Sequence, residues 1–374
     1  MKNRSAVSKA YNPEVDFWKF IFAVFVLLHH LFHLVPGIYF FRRGYISVEF
    51  FFFVSGYFLA AKACSGGRDG VSPPPTHRFL YGRIKSLYKP FIAAFLITFI
   101  VREIAVGNSI FAMAKDLLVS GYETGLMRLS GFEIGTFFNA PTWYLSAMFL
   151  AMAVLWPLAV KFRRPFFRIA CPLITFFFWA LVFAKTGTIG PWKSIVAFDF
   201  LQSGLVRAFA GLAFGMFIYE CCAMLKETNL RPTKIANVFF FILELATLAV
   251  VVFYMSYAEK HNWDRKYDFC VVLYLALFVF IMFSGLSGIR DRFAGTDLSA
   301  LSKASLYIYL CHWASVQLLG AIYGDAVPHL RQVILPYIGV TLCSIALCRA
   351  LVFLFDLFLA RLWPGIKNKL FVKV

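Results

Sequence analysis

The sequence predicts an all-α integral membrane protein, a bundle of about ten transmembrane helices with both termini cytoplasmic. Three observations lead to this fold class. Hydrophobic residues make up 61% of the 374-residue chain, charged residues 15%, and the mean hydropathy is +0.74. Apolar runs of about 20 residues, the length that crosses a bilayer, recur along the whole chain. Basic residues also divide unevenly between alternate loops.

The predicted helices span roughly 17–35, 46–63, 90–107, 142–160, 168–185, 203–222, 236–257, 269–287, 304–323 and 333–360. We expect a single membrane domain, 1–374, with no appended soluble domain. The first run is not predicted to be a signal peptide, because Asp16 and Lys19 stand at its mouth and it lacks a small-residue cleavage site.

Orientation follows from the positive-inside rule. With a cytoplasmic N-terminus, the inward segments hold 23 Lys and Arg and the outward segments 11. The formal net charge of +18 therefore reflects orientation and attraction to anionic lipid headgroups. Because the charge is scattered over six loops, nucleic acid is not an expected partner. The eight cysteines form no CxxC or zinc-ligand spacing, so we interpret them as small buried hydrophobes and expect no metal site.

The first helix, "EVDFWKFIFAVFVLLHH", carries ionisable residues into an apolar run. At about 100° per residue, Asp16, Lys19, His30 and His33 share one face, and His29 points roughly 100° away. Such groups can simply hydrogen-bond inside the bundle. An acid, a base and two histidines on one stripe favour a functional site instead, because intramembrane ionisable groups usually mark sites or pathways.

Glu49 lies in the second helix, "YISVEFFFFVSGYFLA", at a predicted depth similar to that of His30. A carboxylate beside an imidazole can fix its tautomer and raise its basicity. Alternatively, Glu49 reaches the interface or pairs with Arg42 or Arg43.

Three later helices also carry polar side chains. The fourth predicted helix begins with Trp143, which follows Pro141, and tryptophan is frequent at membrane interfaces. In the sixth helix, Asp199 is the predicted partner of the buried Arg207. In the ninth, three residues at i, i+4 and i+7 form one polar stripe. The residues are Trp143, Asp199, Arg207, Ser305, Tyr309 and His312.

The stretch "HRFLYGRIKSLYKPF" forms a cationic cluster on the predicted cytoplasmic side, where Pro90 starts the third helix. It follows "SGGRDGVSPPPTHR", a predicted hinge that is not helical throughout. The cluster either contacts lipid headgroups or clamps the phosphates of an anionic ligand such as a nucleotide or acyl-CoA. Its basic residues are Arg78, Arg83, Lys85 and Lys89.

Taken in order, these stretches resemble the acyltransferase-3 family of bacterial multi-pass membrane O-acyltransferases, which acylate surface polysaccharides and related glycans. "VDFWKFIFAVFVLLHH" and "VEFFFFVSGYFL" are similar to the family's first two helices. "RIKSLYKPF" resembles its basic loop and "SLYIYLCHW" its late helix. "PTWYLSAMFL" and "FAGLAFGMFIY" agree more weakly. The resemblance runs from about residue 11 to 360, and the family likewise has ten core helices.

The resemblance implies a membrane O-acyltransferase of the bacterial cytoplasmic (inner) membrane. The donor would be acetyl-CoA or another short acyl-CoA, held by the four basic residues, and the acceptor a glycan or lipid-linked glycan. His30, rather than His29, matches the family's catalytic histidine and would act as base or acyl carrier. Glu49 would orient it, with Asp16 and Lys19 at the cytoplasmic mouth. The pocket residues would be His29, His33, Ser55, Trp143, Asp199, Arg207, Ser305, Tyr309 and His312.

Two positions depart from the family pattern: Lys19 replaces an arginine in the first helix, and Ser86 replaces one in the basic loop. Because of these two replacements, the identity of the acyl donor stays open. The alternative function is a transporter or flippase for a lipid-linked sugar or acylated molecule, because intramembrane ionisable groups also suit a proton-coupled carrier. A scaffold role would leave the polar stripe without a purpose. The acceptor, the acyl chain, the direct or acyl-histidine route and the oligomeric state stay open.

Overall fold

The computed structural model describes residues 12–65, 72–120, 138–191, 193–198, 200–229, 232–293, 295–324, 326 and 328–361. This part of the chain is almost entirely helical. Its helices are α1 (Pro13–His29), α2 (Ser47–Ser65), α3 (Thr76–Val106), α4 (Ile110–Ser120), α5 (Trp143–Pro165), α6 (Cys171–Thr186), α7 (Ser203–Glu227), α8 (Lys234–Tyr257), α9 (Tyr267–Ser284), α10 (Gly288–Arg292), α11 (Ser299–Tyr323) and α12 (Leu330–Arg361).

Short elements join or extend these helices. Single turns of 3-10 helix span His30–His33, Gly44–Ile46 and Ala140–Thr142, and a π-helical turn spans Phe166–Ala170. Two short strands, β1 (Ile195–Ala197) and β2 (Leu201–Gln202), pair antiparallel.

Eight helical segments of the described chain are long and apolar enough to cross a membrane. They confirm an all-α integral membrane protein. The segments are Pro13–His33, Gly44–Ser65, Ala140–Thr186, Ser203–Glu227, Lys234–Tyr257, Tyr267–Ser284, Ser299–Tyr323 and Leu330–Arg361.

The longest segment contains two of the predicted helices. At 47 residues it would extend about 70 Å if straight, more than twice the hydrocarbon thickness. A non-helical backbone at Arg163 (φ 48°, ψ −126°) divides it into α5 and α6. With α3 as the remaining one, all ten predicted helices have a counterpart. The number that cross the membrane, and the cytoplasmic termini, stay predictions, because 1–11 and 362–374 lie outside the described residues.

The third helix differs from its prediction. It begins at Thr76, fourteen residues before the predicted start, so Pro90 lies inside α3. Pro75 provides the extended N-cap, and proline is compatible with a helix start because its missing N–H would be unpaired there. Pro90 itself removes only one helical hydrogen bond. The non-helical hinge therefore ends at Pro75, and 66–71 lie outside the described residues.

The chain divides into two compact units. The first comprises Met1–His29, Tyr39–Pro73 and Ala151–Leu306, and the second His30–Ile38, Pro74–Leu150 and Tyr307–Val374. Three of the boundaries fall in helical segments: one separates His29 from His30, one lies within α5 between Leu150 and Ala151, and one lies within α11 between Leu306 and Tyr307.

In the first unit, α2 and α7 pack with their backbones in close contact. A Cβ atom on Gly56 would lie 2.1 Å from the Leu212 carbonyl oxygen, and one on Gly215 would lie 2.1 Å from that of Phe53. Small residues are typical of such contacts between membrane helices, since they let backbones approach. The contact fixes which residues of α2 and α7 face each other.

In the second unit, α3 packs against α12. The Cys348 thiol donates to the Pro90 carbonyl oxygen at 3.5 Å, and Lys89 forms an ion pair with Asp356. Ser315 on α11 and Thr341 on α12 share a hydrogen bond of 2.7 Å. These contacts connect the basic helix, through α12, to the helix that carries His312.

Candidate active site

His30 and His33 lie in the 3-10 turn that follows α1 in the chain. Three residues complete a 3-10 turn, so side chains three positions apart eclipse each other. The two imidazole rings accordingly stack, with centroids 5.7 Å apart and planes 17° apart. The α-helical register used to align them with Asp16 and Lys19 ends at His29. The shared face of these four residues therefore stays a prediction.

His312, on α11, lies beside His30 in the second unit. Its ring is 0% exposed, and the centroids of the two imidazoles are 5.0 Å apart with 28° between the planes. The Nδ1 atom of His312 lies 2.9 Å from the Ile308 carbonyl oxygen. A carbonyl oxygen only accepts, so Nδ1 carries the proton, and Nε2 of the neutral ring is a lone-pair acceptor.

Trp313 closes the cluster. Its indole meets the His30 ring edge to face at 5.2 Å and the His33 ring at 5.1 Å. Among the described residues, neither the indole Nε1 of Trp313 nor Nε2 of His312 has a hydrogen-bond partner. A buried donor and a buried acceptor left open beside one imidazole are rare in folded proteins and usually have a functional reason.

The start of α5 is anchored to α11 beside this cluster. Tyr309 donates its hydroxyl to the Pro141 carbonyl oxygen, and Asn139 donates to that of Leu310 at 2.9 Å. Trp143, the first residue of α5, is buried. The predicted polar stripe of α11 is therefore mainly satisfied by backbone: Ser305, which belongs to the first unit, donates to the Ser302 carbonyl oxygen at 2.7 Å.

Glu49 and Arg207 form a fully buried ion pair in the first unit. The Nε atom of Arg207 lies 2.9 Å from Oε1 of Glu49, and the two side chains are 1% and 0% exposed. Arg207 also donates Nη1 to the Gly190 carbonyl oxygen at 3.0 Å. The observed partner of Arg207 is thus Glu49, and the predicted partner, Asp199, lies outside the described residues. Among the described residues, Oε2 of Glu49 accepts no hydrogen bond. The predicted orientation of His30 by Glu49 stays a prediction.

Asp16 and Lys19, three residues apart near the start of α1, pair with each other. The Nζ atom of Lys19 lies 3.5 Å from Oδ1 of Asp16. His29 packs under the chain that follows: its Nδ1 is 3.4 Å from the Phe41 carbonyl oxygen, and a Cβ on Gly44 would lie 2.8 Å from the His29 Cβ. Ser55 is half-buried on α2.

The four basic residues of the cationic cluster lie on one continuous helix, α3. At about 100° per residue, Lys85 and Lys89 lie within about 20° of Arg78, whereas Arg83 lies about 140° away. Arg78 and Lys85 are exposed, and Lys89 pairs with Asp356. Arg83 is half-buried, its guanidinium 5.7 Å from the Phe79 ring centroid, and burial lowers its pKa below the ordinary arginine value. The expected four-residue clamp is therefore a three-residue face and a separate arginine.

Asp268 is a buried polar residue that lies between two predicted helices, 236–257 and 269–287. It lies in the first turn of α9 and accepts hydrogen bonds from the hydroxyls of Tyr45 at 2.9 Å, Tyr254 at 2.7 Å and Thr188 at 2.5 Å. An acidic residue in the first turn before an apolar run is the signal that would have identified it. The loop that Asp268 holds through Thr188 contains Gly190, the acceptor for Arg207.

No group of three potential metal ligands occurs among the described residues. No curated protein and no solved structure matches the chain. A family model does: the acyltransferase-3 model, described as an acyltransferase domain, matches residues 12–353. Since this match covers nearly the whole length, the chain belongs to the acyltransferase-3 family and is a membrane acyltransferase that transfers groups other than aminoacyl groups.

Proposed function

We propose that this protein transfers an acyl group, acetyl in the first instance, from cytoplasmic acyl-CoA to a hydroxyl of a surface or lipid-linked glycan. It would act in the bacterial cytoplasmic membrane with His30 as the reacting imidazole. The observation that carries the proposal is the contact of His30 with the buried His312 and with Trp313. Family membership supports acyl transfer rather than the transporter alternative.

The histidine cluster suits acyl transfer because it joins a half-buried base, His30, to open polar groups on the buried residues His312 and Trp313. As a general base, His30 would take the proton of the acceptor hydroxyl while that oxygen attacks the thioester carbonyl carbon. The carbon–sulfur bond then breaks, and the CoA thiolate leaves. The open Trp313 N–H is a donor of the kind that stabilises an oxyanion in such a reaction.

An acyl-histidine route uses the same residues in a different order. His30 nitrogen would attack the thioester, CoA thiolate would leave, and the acceptor hydroxyl would then attack the acyl-imidazole. In this route the lone pair on Nε2 of His312 is a base for the second step. The two routes differ in a measurable way, since only the second releases CoA before the acceptor binds.

The donor assignment rests on α3. Arg78, Lys85 and Lys89 form a cationic face on the helix that also belongs to the second unit. Such charges bind the phosphates of CoA. The positive-inside rule predicts that this face is cytoplasmic, on the side of the membrane where acyl-CoA is present.

The test is acyl-CoA turnover by the full-length protein in detergent, comparing wild type with His30→Ala and His29→Gln. His29 is the matched control because it is the neighbouring histidine and packs against Phe41 and Gly44. We expect His30→Ala to lose about 10²- to 10⁴-fold in turnover, the usual contribution of a positioned base, and His29→Gln to retain most of it.

Each variant is first shown to be folded by gel filtration and thermal unfolding. An inactive His29→Gln beside an active His30→Ala would overturn the assignment of His30. A wild-type protein that neither binds nor consumes any short acyl-CoA would overturn the assignment of acyl-CoA as the donor.

A further inference from the structure

Two buried carboxyl groups, unused by the proposed reaction, meet in the first unit. Glu14 lies in the first turn of α1, and Glu244 lies in the middle of α8. Both side chains are 0% exposed. Glu14 accepts from the Ser287 hydroxyl and Glu244 from the Ile289 backbone N–H, two residues apart at the start of α10, which brings the two carboxyl groups together. A hydrogen bond between two carboxyl groups requires a proton on one of them.

The donors around the pair account for three of its four oxygens. Oε1 of Glu14 accepts from the Trp18 indole N–H at 3.3 Å, and Oε2 accepts from the Ser287 hydroxyl at 2.8 Å. Oε2 of Glu244 accepts from the Ile289 backbone N–H at 3.4 Å. Oε1 of Glu244 has no donor among the described residues other than the carboxyl group of Glu14 itself.

No cation compensates the pair within the described residues. The described charged side chains on the elements that pack against α1 and α8 are Glu49, Lys62, Asp268, Arg290 and Arg292, and neither carboxyl group forms an ion pair with any of them. Glu49 pairs with Arg207, Glu259 with Arg43, and the Arg292 guanidinium lies over the Phe241 ring. On α1 itself, Asp16 and Lys19 pair with each other.

Two ionised carboxylates in contact, buried and without a cation, carry a prohibitive desolvation and repulsion cost. One proton removes the repulsion and supplies the missing donor at once. We propose that Glu14 and Glu244 form a proton-binding site that holds one proton between them and thereby ties the start of α1 to α8. Loss of the proton leaves two like charges in contact and pushes these helices apart. The inference is independent of the proposed function.

The test uses full-length protein in lipid nanodiscs and infrared spectroscopy at neutral pH, where a protonated carboxyl group has its own carbonyl stretch. We compare wild type with Glu14→Gln and Glu244→Gln. In either variant the glutamine N–H replaces the shared proton as the donor, and the carboxyl–carboxyl repulsion that favours binding of that proton is gone. The expected result is a protonated-carboxyl band in wild type that both variants lose.

Glu220→Gln is the matched control. Glu220 is equally buried, but two arginines pair with it, Arg164 at 3.1 Å and Arg168 at 2.7 Å. Two arginines already compensate this carboxyl group, so the control is expected to keep the band. A wild-type spectrum without the band overturns the proposal, as does a band that survives in either Glu14→Gln or Glu244→Gln.

Thermal unfolding gives a second measurement that needs only one folded variant. As the pH is raised to alkaline values, the midpoint temperature of unfolding is expected to fall further for wild type than for Glu14→Gln or Glu244→Gln. An equal loss in wild type and the folded variant overturns the proposal.

Discussion

The imidazole of His312 lies against that of His30, with ring centroids 5.0 Å apart, while its Nδ1–H donates to the Ile308 carbonyl oxygen. This hydrogen bond orients the His312 ring and leaves Nε2 as an acceptor. A residue that sequence reasoning placed only in the pocket is therefore in contact with the proposed reacting imidazole.

His312 is expected to matter for catalysis. We expect His312→Ala to lower acyl-CoA turnover by about 10²-fold, the lower end of acid–base contributions. Ser305→Ala, on the same helix, is the control, because Ser305 donates only to the Ser302 carbonyl oxygen. A folded His312→Ala with wild-type turnover would show that the contact with His30 has no catalytic role.

The ion pair between Glu49 and Arg207 is expected to be sensitive to loss of one partner. Arg207→Ala leaves the Glu49 carboxylate buried without a cation, which costs about 3–5 kcal/mol. The double variant Glu49→Gln with Arg207→Gln is expected to unfold at a higher temperature than Arg207→Ala, because no buried charge is left alone. If Arg207→Ala is as stable as wild type, the pair is not a structural element of the first unit.

Replacement of Gly56 by any larger residue is expected to lower the stability of the protein. Gly56→Ala would place a methyl group 2.1 Å from the Leu212 carbonyl oxygen, so α2 and α7 must separate. Overpacking of this kind costs about 1–3 kcal/mol. Gly339→Ala on α12 is the control, because nothing lies within 4 Å of its added Cβ; alanine there is expected to be neutral or to gain up to about 1 kcal/mol. Thermal unfolding of both variants checks the difference, and equal stability would contradict the close contact.

The exposed face of α3 is expected to set the affinity for acyl-CoA. Lys85→Ala is expected to raise the KM for acyl-CoA about two- to fivefold with little change in kcat, because an exposed charge contributes up to about 1 kcal/mol. The rise should shrink at high salt, where surface charges are screened. Arg83→Ala, on a different side of α3, is the comparison. A larger KM effect from Arg83→Ala than from Lys85→Ala would contradict this division of α3.

Glu259 is expected to link stability to pH. Burial alone would raise its pKa, but Arg265 and the hydrogen bond from Arg43 outweigh burial and hold the pKa below the ordinary glutamate value. A lowered folded-state pKa means stabilisation that is present above the unfolded value, about 4.3, and lost as the pH falls through the folded value. The stability difference between wild type and Glu259→Gln should therefore shrink on acidification. A difference that is constant with pH would contradict the pairing.

The sequence by itself determined the class of the protein and pointed to its apolar helices. Apolar length and basic-residue bias are properties of the chain alone, because the bilayer imposes one thickness on every span. The histidines of "FVLLHHLFHL" and the late "YLCHW" could be singled out for the same reason: polar rings in apolar runs require an explanation.

Only the tertiary structure decided which polar groups meet. Glu49 pairs with Arg207 because glycines bring α2 and α7 together. Glu14 and Glu244 are 230 residues apart in the chain, yet they accept from Ser287 and Ile289, which are only two residues apart. The change from α-helix to 3-10 helix at His30, and the continuation of α3 through Pro90, also had no reliable local signal. The reason is physical: hydropathy depends on one residue at a time, whereas the partner of a buried charge depends on the packing of helices that are distant in sequence.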